Sequence, residues 1–193
     1  MNMLDFWEKI RILDMLGNKI LITGATGKLG RSMSNALAEL GADLILVDHP
    51  DVDFNEMENK LTELWSTKVY SYHCDLENEE SRLKLISKIK RDHKYINILI
   101  NNAAFIGTSK LEGWIENLAE QSLDTWRRAL EVNLTAPFHL SQKLKPLLNG
   151  AKGASIINIG SDLSVLSPNH EIYKSGNKNF LKPISYSVIK HGL

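Results

Sequence analysis

Residues 19–30, KILITGATGKLG, constrain the fold more than any other stretch of the chain. An apolar run breaks there into a turn with glycines at 24, 27 and 30, then re-forms at helical spacing. Ile20, Leu21 and Ile22 read as a strand buried on both faces. Gly24 and Gly27 supply dihedrals and a close approach that a Cβ would forbid. Leu29, Met33, Ala36, Leu37 and Leu40 recur at helical spacing until Gly41 ends the run. A helix N-terminus aimed out of a strand leaves unpaired N–H groups and a partial positive charge, which together hold a pyrophosphate. The three glycines alone fit an ordinary tight turn equally well. Context favours a dinucleotide: a strand before, a helix after, and a second apolar run at 44–47 ending in Asp48. Asp48 stands about twenty residues beyond the turn, where a carboxylate hydrogen-bonds the adenosine ribose hydroxyls. It also repels a 2′-phosphate, which favours NAD. Lys28 pulls the other way, since a cation in the turn pairs with that phosphate, and NADP stays open.

The 193 residues suffice for one well-buried α/β domain. Lys plus Arg equals Asp plus Glu at 23 each, with no basic cluster, so neither nucleic acid nor an anionic membrane is implied as a partner. Cys74 stands alone, which excludes an internal disulfide and a thiolate zinc site and fits a reducing cytosol. No apolar run approaches membrane-spanning length and no signal peptide is visible, so the expectation is a soluble cytoplasmic protein. Residues 1–18 read as an N-terminal extension. Phe6, Ile10 and Leu13 share a helical face there, Asp5, Glu8 and Asp14 speak against a leader, and Met15 is an alternative start that would make the first fourteen residues dispensable.

Further along, residues 53–66 place Met57, Leu61, Leu64 and Trp65 on one face of an amphipathic helix. Residues 69–74 form a third strand ending in Cys74-Asp75-Leu76. A carboxylate at that edge accepts a hydrogen bond from an adenine amino group, or else Asp75 is simply a helix-start acid. A helix over 79–93 has acids in its first turn and bases in its last, in accord with its dipole. Residues 95–100 form a fourth strand, ended by Asn101-Asn102-Ala103-Ala104. The small residues let backbone lie against a flat ligand, and the amides tie neighbouring strands together. Residues 123–132 and 134–148 form one long helical region perturbed at Pro137. Asn133 interrupts its apolar face and reads, by itself, as a satisfied amide. Residues 154–160 form the fifth strand, with Ser161 at its carboxyl end. Strands alternating with helices predict a parallel sheet with right-handed crossovers and ligand chemistry at the strands' carboxyl ends.

In residues 183–193, PISYSVIKHGL, Tyr186 and Lys190 are four apart, which on a helix brings both side chains together on one face. A phenol exchanges protons poorly near neutrality because its ordinary pKa is about 10, but an adjacent ammonium stabilises the phenolate. Such a pair can exchange a proton with an alcohol or carbonyl while hydride moves to or from a nicotinamide. Taken alone, the spacing is usually a surface coincidence.

The set TGATGKLG, Asp48, Asp75, NNAA, Asn133, a strand ending in Gly160-Ser161, and YSVIK, in that order, resembles the short-chain dehydrogenase/reductase family from residue 19 to 193. The resemblance implies a Rossmann-type, doubly wound parallel sheet in a three-layer α/β/α arrangement. It implies Tyr186 as general acid/base, Lys190 as ribose ligand and activator of the tyrosine, Ser161 as hydrogen-bond partner of the substrate oxygen, and Asn133 as holder of the water linking Lys190 to solvent. Gly24, Thr26, Gly27, Lys28, Leu29 and Gly30 would meet the cofactor phosphates. Asp48, Asp75, Leu76, Asn102, Ala103 and Ala104 would hold its adenosine half, with Tyr186 and Lys190 at the nicotinamide end. Family members commonly pair through the two helices flanking the catalytic strand, which implies a homo-oligomer. A closer likeness, through SDLSVLSPNHEIY and SYSVIKHGL, is to bacterial members of flagellin-modification and surface-glycan pathways, which would make the small-molecule substrate a sugar or nucleotide sugar.

Three features depart from the family pattern. The glycine turn reads Gly-x-x-Gly-x-x-Gly, with Lys28 at the usual middle glycine, as in the family's sugar-modifying branch. Ser161 and Tyr186 are 25 apart, roughly double the usual separation, and Tyr173 stands at the expected one. Four residues after Tyr173 comes Asn177, which supplies no cation, so the chemistry is assigned to Tyr186 and residues 164–180 read as an inserted substrate-side loop. Lastly, the sequence stops at Leu193, inside the helix that carries Lys190, which predicts a C-terminally truncated domain with an incomplete substrate pocket and weak activity on its own. Two functions follow: an NAD(P)-dependent oxidoreductase, or a cofactor-binding sensor or assembly subunit without catalysis.

Overall fold

The computed structural model describes residues 14–106, 111–169, 171, 174–175, 178–179 and 181–193. The helical face of Phe6, Ile10 and Leu13 and the comparison of Tyr173 with Asn177 lie outside the described residues. The elements run β1 (Lys19–Thr23), α1 (Lys28–Glu39), β2 (Asp43–Asp48), α2 (Asn55–Trp65), β3 (Val69–His73), α3 (Glu79–Asp92), β4 (Ile98–Asn101), α4 (Leu123–Leu130), a π-helical turn (Glu131–Thr135), α5 (Ala136–Asn149), β5 (Ser155–Asn158), a 3-10 turn (Asp162–Ser164), the short strands β6 (Lys174–Ser175) and β7 (Lys178–Asn179), and α6 (Ile184–Gly192).

Strands β1 to β5 form one parallel sheet in the order β3-β2-β1-β4-β5, as the alternation of strands and helices predicts. Because side chains alternate across a strand, β1 serves two cores. Leu21, with Ile45, Val47 and Leu99, meets Ile86 and Ile89 of α3 and Leu140 and Leu144 of α5. Ile20 and Ile22, with Leu44, Leu46 and Ile100, meet Ala38 of α1 and Met57 and Leu61 of α2. All three β1 residues are fully buried, which is why this strand reads as an unbroken apolar run. The result is the expected three-layer α/β/α sandwich.

The order reverses at β1: the next two strands lie to one side of it and β4 and β5 to the other. A crevice opens there at the carboxyl ends. Thr23, 2% exposed, bridges it, since its hydroxyl accepts the N–H groups of Asn102 and Ala103, both at 3.1 Å, and donates to the Ile100 carbonyl at 3.4 Å. Two expectations need correction. The helical region from 123 to 149 is perturbed at 131–135 rather than at Pro137, where Ala136 N–H reaches back five residues to the Glu131 carbonyl. The fifth strand is shorter than 154–160, spanning Ser155–Asn158; among the described residues it is the sheet edge, and Ile156 and Ile157 are 46% and 41% exposed. The 164–180 segment contains the small antiparallel pair β6-β7. Among the described residues no helix is long and apolar enough to cross a membrane.

Candidate functional site

A cleft of about 920 Å³ occupies the crevice at the strand-order reversal. Of the residues singled out above, Gly24, Thr26, Gly27, Lys28, Leu29, Asp48, Asp75, Leu76, Asn102, Ala103 and Ala104 line it. Gly24 sits at φ +63°, and a Cβ on it would lie 2.8 Å from the Cα of Ala103, so the two loops approach only through glycine. Gly30 is not part of the lining. A Cβ there would stand 2.2 Å from the Gly24 carbonyl oxygen, so its part is to seat α1 against the turn. Gly27 is the N-cap of α1 and offers no side-chain acceptor, which leaves the first-turn N–H groups to a ligand at the cleft floor.

The acids are held in place. Asp48 Oδ2 accepts the Thr26 N–H and the Thr26 hydroxyl, and its Oδ1 accepts the His49 N–H. Asp75 Oδ1 accepts the Glu77 N–H at 2.9 Å in an Asx turn. The cap of α3 is Asn78, whose Oδ1 takes the Ser81 N–H, so Asp75 is not the helix-start acid. The amides at the end of β4 tie strands as expected. Asn101 Nδ2 donates to Asn158 Oδ1 at 2.8 Å, and Asn102 Nδ2 donates to the Thr23 and Gly24 carbonyls.

Asn133, Ser161, Tyr186 and Lys190 do not line this cleft; they lie on elements packed together beside it. Helix α6 contacts both the 131–135 turn and the 162–164 turn. Asn133, 1% exposed, spends its amide on the backbone of Phe105, accepting its N–H at 2.7 Å and donating to its carbonyl at 2.9 Å. The side chain is therefore a clamp, and any water at this residue would have to use its carbonyl, to which Pro137 offers no N–H. The Ser161 hydroxyl donates to Asp162 Oδ1 at 2.8 Å and accepts the Leu163 N–H, capping the 3-10 turn. The Ser161 hydroxyl first, and then the Leu163 N–H, which also reaches Asp162 Oδ1 at 2.8 Å, hold the Asp162 carboxyl below its usual range. The Lys190 ammonium is 5.9 Å from the centre of the Tyr186 ring, as four-residue spacing on a helix requires, and donates to the Ile159 carbonyl beyond β5. Burial lowers the Lys190 pKa.

Several residues here escaped the sequence reading. Arg82, 2% exposed, donates to the Leu76 and Glu77 carbonyls at 2.6 and 3.2 Å, reaches His139 Nδ1 at 3.3 Å and pairs with Glu131 at 3.1 Å, so one guanidinium ties the loop after β3 to the π turn and α5. A signal existed, since Arg82 falls on the apolar face that carries Leu85, Ile86 and Ile89. His49, Cys74, Glu77, Phe105, Ile106, Arg128 and Val132 also line the cleft. Arg128 donates to Glu77 at 2.8 Å, a pairing across 51 residues with no local signature.

A family model described as short chain dehydrogenase matches residues 18–187. Among similar proteins, the (-)-trans-carveol dehydrogenase of Rhodococcus erythropolis is 30% identical over 92% of this chain and 62% of its own length. The 2-dehydro-3-deoxy-D-gluconate 5-dehydrogenase of Pseudoalteromonas atlantica is 29% identical over 77% of this chain and 56% of its own. The chain thus spans less than two thirds of the length of these relatives. The crystal structure of an NADPH-dependent 3-quinuclidinone reductase from Rhodotorula rubra superposes with a TM-score of 0.75 at 23% identity, over 93% of this chain and 61% of that one, a likeness of fold.

Proposed function

The chain belongs to the short chain dehydrogenase family, and on that premise we propose that it is an NAD(P)-dependent oxidoreductase interconverting a secondary alcohol and a ketone on a sugar or activated sugar. The observation that carries the reading is the cleft at the strand-order reversal. A glycine cradle that a Cβ would fill, an uncapped helix N-terminus and two carboxylates at successive strand ends match the phosphates, ribose and adenine of a dinucleotide. The reductase from Rhodotorula rubra is NADPH-dependent by name, which supports a nicotinamide cofactor, and the relative from Pseudoalteromonas atlantica is named for a deoxygluconate, which supports a sugar.

When bound, a nicotinamide dinucleotide supplies hydride transfer. The rest is the work of side chains. Tyr186 exchanges a proton with the substrate oxygen, and Lys190, one turn away with its ammonium 5.9 Å from the ring centre, meets the nicotinamide ribose. Ser161 meets the same substrate oxygen. With its proton aimed at Asp162, it accepts from an alcohol as it stands and donates to a ketone only after turning away. Asn133 keeps the Phe105 backbone in register beside the adenosine half. Asp48 favours NAD, and Lys28 keeps NADP in play. Residues 19–193 supply the dinucleotide-binding domain, and the reading places it in a cytoplasmic homo-oligomer.

The test is direct binding of NADH and NADPH beside hydride transfer with a panel of sugars and nucleotide sugars. Tyr186→Phe is expected to abolish turnover with cofactor binding intact, while Tyr173→Phe stays active; the reverse pattern overturns the assignment. Dinucleotide binding without turnover across the panel would leave the sensor or assembly reading, and no binding would end both.

A further inference from the structure

We infer that Arg128 is a cofactor-positioning residue whose guanidinium, set by Glu77 and backed by Phe105, is the face on which the adenine of a bound dinucleotide stacks; the inference rests on the dinucleotide reading above. Arg128 lies in the last turn of α4, and Val132 one helical turn later lines the same cleft. Its Nε donates to Glu77 Oε1 at 2.8 Å, and its guanidinium carbon is 5.8 Å from the centre of the Phe105 ring. Glu77 follows Leu76 and Asp75 in the loop after β3, so Arg128 and the adenine-side acid border one stretch of cleft.

Three properties select the flat base over the phosphates as its partner. A guanidinium awaiting an anion gains most when its charge is not already balanced, and this one has a carboxylate on its Nε edge, a pairing that also raises its pKa. What it still offers is a planar, weakly hydrated face. The neighbouring surface is apolar, from Leu76 and Val132, with the Asp75 carboxylate beside it to accept an exocyclic amino group. The Glu77 contact and the Phe105 ring also fix the plane before any ligand arrives, which reduces the ordering cost of binding. The ion pair has side chains 40% and 30% exposed, too open to water for stabilising the fold to be its main effect.

The experiment is calorimetric titration of the 193-residue chain with NADH and with ADP-ribose, which keeps the adenosine and pyrophosphate but lacks the nicotinamide, each variant being checked for an unchanged melting temperature. Arg128→Ala is expected to weaken both ligands about ten-fold. Arg128→Trp, which restores a flat face without charge, should recover most of that loss, and Arg128→Lys, which restores charge without the plane, should not. Glu77→Gln should cost about three-fold by releasing the plane. Wild-type affinity in Arg128→Ala, or rescue by Lys and not by Trp, would overturn the inference while leaving the dinucleotide reading intact. Failure of the unsubstituted chain to bind either ligand would overturn both.

Discussion

Thr26 gives Asp48 two hydrogen bonds through a single oxygen: its backbone N–H and its hydroxyl each reach Oδ2 at 2.8 Å. The carboxylate proposed to meet the cofactor ribose is thus also a strut of the glycine turn, and with the His49 N–H on Oδ1 it keeps little acceptor capacity for ribose hydroxyls.

Asp48→Ala should therefore do two things at once. Losing three hydrogen bonds to a charged acceptor should cost about 2 kcal/mol of stability in a urea melt. Losing the negative charge should raise the ratio of NADPH to NADH affinity in paired titrations. An unchanged ratio would remove Asp48 from cofactor selection.

Gly30→Ala places a methyl group against backbone that has nowhere to go, 2.2 Å from the Gly24 oxygen and 2.7 Å from the Ala25 carbonyl carbon. The expected loss is about 3 kcal/mol from overpacking, with weaker NADH binding because α1 must retreat from the turn. A melt and a titration on one preparation check both, and a wild-type melt would refute the packing assignment.

Arg82→Ala strands the Leu76 and Glu77 carbonyls and leaves Glu131 without its cation. It should lower stability by about 3 kcal/mol, and Arg82→Lys should not rescue it, since an ammonium cannot reproduce the guanidinium fork. Because the 76–77 loop borders the cleft, NADH affinity should fall as well. If the melt alone changes, the guanidinium holds the fold without positioning that loop.

His93 predicts an acid limb of stability. Burial first, then the nearby Lys19, lowers its pKa below 6.5, although Asp92 pulls it upward; Tyr72, whose own pKa is raised to about 12 chiefly by burial, stays protonated beside it. A histidine with a lowered folded pKa binds its proton more readily when unfolded, so its contribution is whole above 6.5, is lost as pH falls through the window beneath, and levels off once both states are protonated. His139, also lowered by burial and then by Arg82, acts in the same direction. Melting temperatures taken from about pH 7.5 to about pH 5 should fall, with a shallower slope in His93→Gln. Equal slopes would place the transition on other groups.

Residues whose role is local were legible from the chain. The apolar run 20–22, the glycines after it and the helical spacing from Leu29 to Leu40 mark β1, the turn and α1, because dihedral preference and periodicity act over a few residues. Asp48 and Asp75 were legible because a strand's carboxyl end carries its last residues to the crevice whatever lies elsewhere. The family motifs added the elements proposed to carry catalysis, and α6 packs against the turns beside Ser161 and Asn133.

Tertiary structure decided what depends on distant partners. Asn133 clamps Phe105 across 28 residues, Arg82 reaches His139 across 57, and Arg128 meets Glu77 across 51; each side chain could equally have turned to water had the sheet closed differently. The exposure of β5 is likewise a matter of position, since an apolar strand is buried only when something covers it. Backbone preferences and apolar spacing are properties of neighbours along the chain and determine its elements, whereas a polar side chain takes its partner from whatever the packed sheet brings within hydrogen-bond reach.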